Sequence, residues 1–127
     1  MPNQFLSLAR DGVVEALDAT PDFWDGLMSG RIRIDGWLVS LIELDGAFDH
    51  SERHVAGEEI VILREGGPVD LSLDEPGGPR IVRLTRDDPV CIVPRNVWHM
   101  GRSEASATLV FITPAGGTDH RPVSEHP

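Results

Sequence analysis

The chain has 127 residues, with 21 acidic side chains against 11 basic ones and a formal net charge of −10, a balance that argues against a nucleic-acid or anionic-membrane partner. Its single cysteine excludes an intrachain disulfide, and no stretch approaches the roughly 18 apolar residues of a spanning helix. One domain is expected at this length, and a start without a basic leader or a long apolar stretch points to the cytoplasm.

Within the first 30 residues, Val13, Val14, Ala16 and Leu17 fit a short helix or an edge strand. Thr20 and Pro21 then read as the N-cap and first residue of a helix over 21–28, with Gly30 as its stop. Phe23, Trp24 and Leu27 of that helix are expected to cover one side of a barrel, Trp24 as a packing anchor. From residue 31 the pattern turns to strands. Ile32 and Ile34 alternate with polar neighbours, Asp35-Gly36 breaks the run, and a strand over 37–44 follows. Further β-runs at 60–64, 69–73, 81–84, 90–93 and 107–113 are separated by turn sequences such as Gly66-Gly67-Pro68. About eight short strands without helical periodicity predict an all-β sandwich or barrel. Residues 1–30 are its N-terminal cover, 31–114 the barrel, and 115–127 a tail that is ordered only if it crosses the barrel or a second subunit. Cys91, among Val90, Ile92 and Val93, reads as a small buried apolar residue.

The chemistry is concentrated in residues 46–66. Glu52 and His54 are two apart and share a strand face; His50 has the same parity. Glu59 opens Glu-Ile-Val-Ile-Leu, whose alternation puts Glu59, Val61 and Leu63 on one side and turns Glu58 outward. A bend at 55–57, eased by Gly57, would fold Glu59 back toward Glu52 and His54. His99, where the apolar run at 90–93 ends in a turn, is the fourth candidate. Imidazole with carboxylate suits a divalent ion such as manganese, iron, nickel or zinc, and no thiolate is offered. The alternative for Glu52 is a solvated or salt-bridged carboxylate on a barrel without metal. His50 either replaces Glu52 as ligand, orients it, or serves as the general base, for which it is the cheapest candidate. Phe48, Val61, Leu63 and Met100 are candidate apolar walls, and Arg95 and Arg102 flank the His99 turn, where a guanidinium could grip a carboxylate. His120 and His126 carry no interpretable spacing. The sequence has no P-loop, dinucleotide fingerprint or serine elbow.

These residues resemble the cupin superfamily, and in particular small bacterial single-domain cupins. The first cupin motif, G-x5-H-x-H-x4-E-x6-G, is matched by Gly46, His54, Glu59 and Gly66, with Glu52 in place of the first histidine. The second, G-x5-P-x-G-x2-H-x3-N, is matched at Pro94 and His99, with Asp88, Asn96 and Ser103 at the other three places. The resemblance implies a jelly-roll barrel (a double-stranded β-helix) with a metal at its centre, held by Glu52, His54, Glu59 and His99, and a small molecule beside it. Two carboxylates would neutralise a divalent ion, making the site a weaker Lewis acid and a harder one. The expected function is a metal-dependent enzyme of dioxygenase, isomerase or lyase type acting on a small metabolite; the alternative is a non-catalytic binding or sensor module. A homodimer paired through a sheet is expected, with Trp24, Trp37 and Trp98 supplying apolar surface.

Overall fold

Alternation decides the architecture. Along residues 38–44, Leu38, Ser40, Ile42 and Leu44 are buried while the residues between them are not, the period-two signature of a strand with one face in a core. The computed structural model describes residues 3–48 and 50–122; His126 lies outside them. Among the described residues the elements are β1 (Gln4–Ala9), β2 (Val14–Leu17), α1 (Phe23–Ser29), β3 (Gly36–Ala47), β4 (His50–His54), β5 (Glu59–Gly66), β6 (Val69–Glu75), β7 (Gly78–Leu84), β8 (Val90–Val93), β9 (Trp98–Pro114) and β10 (Thr118–Pro122). Every pairing is antiparallel.

The 17-residue β9 holds the sheet together by changing partners along its length. Its first half pairs with β6, from Asp74↔Trp98 to Val69↔Ser103, and its second half lies between β3 and β5. Register shifts at Leu44/Gly46 and Leu63/Glu65 sharpen the curl. The inward faces bury Val61, Leu71, Leu73, Leu84, Val93 and Leu109 in one cluster, each such side chain contributing about 1.5–3 kcal/mol. Cys91 belongs to the same cluster, as its apolar neighbours imply. Gly66, the last glycine of the first motif, has φ +78°, and a Cβ there would stand 2.1 Å from the Ser106 carbonyl oxygen. Position 66 therefore requires glycine on two counts.

The N-terminal segment is more strand-like than its sequence suggests. β2 resolves the choice at 13–17 in favour of a strand, and β1, which has no clear period of its own, joins β2 to the edge of β3. The helix begins at Phe23 rather than Pro21, with Asp22 at the N-cap position. Thr20 does not cap it, because its hydroxyl donates to the Asp22 carboxylate, which also meets Arg31 at 3.1 Å. Gly30 is the left-handed stop expected at that place. Residues 31–34 form no strand: the Ile32 amide returns to the Gly26 carbonyl at 2.9 Å, so the chain wraps around the helix end. Phe23 stacks on Phe5 at 4.0 Å, and a second buried cluster of Phe5, Phe23, Leu38 and Ile42 forms under the helix. Trp24 sits edge-on to both rings but remains half exposed. Among the described residues no helix is long and apolar enough to cross a membrane.

Candidate metal centre

Three of the four expected ligands meet at one point. His54 ends β4, Glu59 begins β5 and His99 is the second residue of β9; their side chains are 2%, 3% and 6% exposed. One ligand atom from each lies within 4.8 Å of the others. Strand parity carries His54 inward, and the bend at 55–57 brings Glu59 back to it while Glu58 stays exposed. Gly57 is not left-handed, so its conformational freedom is not what makes the bend. The turn before His99 does use the left-handed region, at Asn96 with φ +65°. Asn96 occupies a glycine place of the second motif, and asparagine is among the residues that best tolerate this conformation. Its amide donates to the His54 carbonyl at 3.0 Å, tying the two ligand-bearing segments together.

The donor atoms are oriented by partners that the local sequence does not reveal. His99 Nδ1 is 3.0 Å from the Val97 carbonyl oxygen, which can only accept, so Nδ1 carries the proton and Nε2 faces Glu59 Oε1 at 2.9 Å. His54 Nδ1 meets Thr118 Oγ1 at 2.9 Å, and with Nδ1 donating there, the Nε2 lone pair points at Glu59. Thr113 donates to Glu59 Oε2 at 2.6 Å. His54 Nε2 lies 3.1 Å from Glu59 Oε2 but without hydrogen-bond geometry, leaving it a buried nitrogen without a hydrogen-bond partner. Two imidazole nitrogens and two carboxylate oxygens thus converge on one buried point, an arrangement that a cation would satisfy. Spacings of 2.9 and 3.1 Å are hydrogen-bond distances that also suit adjacent ligands of an octahedral ion at about 2.1 Å, which sit about 3 Å apart. The residues fit a divalent metal.

The contacts within the group also shift the proton affinities of Glu59 and His99. Burial by itself would raise the Glu59 pKa, but the imidazoles of His54 and His99 outweigh it and hold the carboxyl at about 2. For His99, burial disfavours the charged form, yet the Glu59 carboxylate more than compensates and the pKa is raised.

Glu52 stands apart from this group. It faces His99 across the β4–β9 pair, but its carboxylate is 39% exposed and its Oε2 lies 3.7 Å from His120 Nδ1. His50 is exposed, with its ring 5.5 Å from that of His120. Glu52, His50 and His120 line, together with Glu59, a cavity of about 1030 Å³, whereas His99 lines a different pocket. Residues 118–122 are not a loose tail: as β10 they pair with β4 in the register Thr118↔His54 and His120↔Glu52. Phe48 lines this cavity, whereas Val61 and Leu63 are core and Met100 lines a different pocket. Arg95 donates to the Ala56 carbonyl at 2.9 Å, and Arg102 is exposed on β9. Trp98 is covered from outside by Arg53 and Arg121, at 4.9 and 4.2 Å from its ring.

No family model matches the chain, and no curated protein aligns with it. Solved structures do. Peruvianin-I, a cysteine peptidase from Thevetia peruviana latex, is 15% identical over 70% of this chain and 58% of its own, with a TM-score of 0.57. Oxalate decarboxylase from Bacillus subtilis, a protein with Mn(II) centres, is 14% identical over 69% of this chain and 24% of its own, at 0.57. Oxalate oxidase in complex with glycolate is 16% identical over 66% and 45%, at 0.51. The chain thus spans a little over half of the first structure and about a quarter of the second. These are cupin β-barrel proteins, and the chain has the cupin fold. Within that fold it presents a His–Glu–His group able to bind a metal ion.

Proposed function

We propose that the protein is a metal-dependent cupin enzyme acting on a small metabolite, with a divalent cation held by His54, Glu59 and His99, toward which Glu52, paired with His99 across β4 and β9 but turned to His120 in this structure, swings in as the fourth group. The observation that carries this reading is the partnerless, buried His54 Nε2 beside the Glu59 carboxylate. A bound cation supplies Lewis-acid polarisation and a template for an oxygen-bearing substrate, chemistry compatible with a dioxygenase, an isomerase or a lyase. The chain's own part is to fix the donors through Thr113, Thr118 and the Val97 carbonyl, to exclude water by burying all three ligands, and to offer His50 at the cavity wall for proton transfer. Cys91 is buried in the core and burial raises its pKa, so it is a poor nucleophile and a peptidase reading draws no support from it. Elemental analysis of protein purified without added metal or chelator should find about one divalent ion per chain. If Glu52 completes the site, Glu52→His should shift preference from manganese toward nickel by about tenfold or more. An unchanged ratio of affinities would remove Glu52 from the metal, and metal-free protein would overturn the reading as a whole.

The apolar wall of the cavity favours a second reading, a binding or sensor module without turnover. Metal-loaded protein that binds ligand but leaves it chemically unchanged would select it.

A homodimer is part of the proposal, supported by the outer face of the sheet. Ile92, Ile60, Ile112, Val39 and Leu6 succeed one another across β8, β5, β9, β3 and β1, with Val90, Ile62, Val110 and Leu41 in the adjacent row. Leu6, Ile60, Val90 and Ile92 are exposed. Five strands at about 4.8 Å spacing make a patch about 20 Å wide. Light scattering at micromolar concentration should give twice the chain mass, and Ile60→Lys with Ile92→Lys should halve it. A wild-type mass of one chain would contradict the dimer.

A further inference from the structure

The cavity that reaches the metal group at Glu59 is far larger than a two-carbon acid requires. Its volume of about 1030 Å³ stands at the upper end of the roughly 300–1,000 Å³ range of small-molecule sites. Much of its lining is apolar: Met28, itself largely exposed, comes from α1, Ile34 from the segment after it, Ile42 from β3, and Phe48 and Phe111 meet at 5.9 Å between ring centres. Its polar end carries the Glu52 and Glu59 carboxylates and the His120 imidazole. Among the lining residues arginine appears once, at Arg33, on the α1 side rather than on the strands that carry the metal group. A dicarboxylate placed at the polar end would meet two like charges with no guanidinium to receive it.

Resting on the metal-site reading above, we infer that this cavity takes an amphipathic ligand, an alkyl or aryl body of about eight carbons bearing one oxygen-chelating head of low charge. The head sits at the metal end beside Glu52, and the body lies along Phe48 and Phe111 toward α1. Each methylene buried along that wall contributes a factor of about three to four in affinity. Specificity then comes from the length of the body more than from the charge of the head.

The test is calorimetric titration of manganese-loaded protein with straight-chain alkyl hydroxamates of two, four, six and eight carbons and with oxalate. The metal-free protein is titrated in parallel with straight-chain alcohols of the same lengths. Affinity should rise by at least about a hundredfold from the two-carbon to the eight-carbon hydroxamate, and oxalate should bind more weakly than the latter. The alcohols should show the same dependence on length. Met28→Glu should weaken the eight-carbon compound by at least about tenfold while metal content stays at the wild-type value, and Met28→Leu should restore it. No length dependence in either series, or oxalate binding more tightly than the eight-carbon hydroxamate, would overturn the inference. Length dependence among the alcohols, with hydroxamates gaining nothing from manganese, would overturn the chelating head and the metal reading beneath it, and would leave only the fit of the body to the apolar lining.

Discussion

Glu59→Gln should bind its divalent cation at least about a thousandfold more weakly than the wild-type protein. Glu59 is the centre of the group: one oxygen faces His99 at 2.9 Å, the other faces His54 at 3.1 Å and accepts from Thr113 at 2.6 Å. Glutamine keeps the shape but replaces an anionic donor by a neutral amide. Divalent zinc bound at four protein ligands is held by about 10–16 kcal/mol, so one ligand is worth about 2.5–4 kcal/mol, and the buried ion also loses the only countercharge in the group. Removing Thr118, which orients His54 without belonging to the group of three, is a smaller perturbation: Thr118→Val should cost about ten- to a hundredfold, with Thr118→Ser close to wild type. Competition with a fluorescent chelator measures both. Wild-type affinity in Glu59→Gln would show that the ion, if bound, is held elsewhere.

The difference between those two residues also marks where the sequence can be read and where it cannot. That His54 and Glu59 turn to one side was legible because parity and a short bend are local rules: a strand places every second side chain on one face, and Glu58 had to turn out if Glu59 turned in; His99, on another strand, came from its turn and from the resemblance to the second motif. Thr118 and His120 were not legible. Their partners, His54 and Glu52, lie more than 60 residues earlier in the chain, and the pairing is fixed by the register of β10 on β4, to which no local pattern points. The stretch from Pro114 to Asp119 reads as turn and tail because Gly116 and Gly117 belong to a turn; both are left-handed, and at Gly117 a Cβ would stand 2.3 Å from Val55. Beyond that turn the chain re-enters the sheet as β10. The same limit applies to the N-terminal segment. Ile32 and Ile34 alternate as strand residues do, but a tertiary contact of the Ile32 amide with the helix end claimed the backbone first.

Without metal, the protein should be most stable between about pH 4.5 and 6.5, and added metal should move that optimum upward. Burial alone would raise the Glu59 pKa, but His54 and His99 bring it from 4.5 to about 2. Its stabilisation is therefore fully present above about 4.5 and is lost as pH falls toward 2, amounting to about 3 kcal/mol that is shared with the imidazoles of the same pair. His99 runs the other way: burial lowers its pKa from 6.5, the Glu59 carboxylate raises it further than that, and the net shift is upward. That contribution is complete below about 6.5 and disappears as pH rises through the raised value. Both are whole only in the window between. A metal ion reverses the upper limit, because it takes the imidazoles in their neutral form and displaces the proton that His99 would hold. At a thousandfold excess over Kd the ion adds about 4 kcal/mol, or about 15 °C in Tm for a chain of this size, and this gain should grow from pH 5 to pH 8. Calorimetry with and without manganese across pH 4 to 8 measures it. A metal-free Tm that climbs steadily to pH 8, with no increment from metal at any pH, would mean that the imidazoles are neutral in the fold and that Glu59 is held by Thr113 rather than by a site for cations.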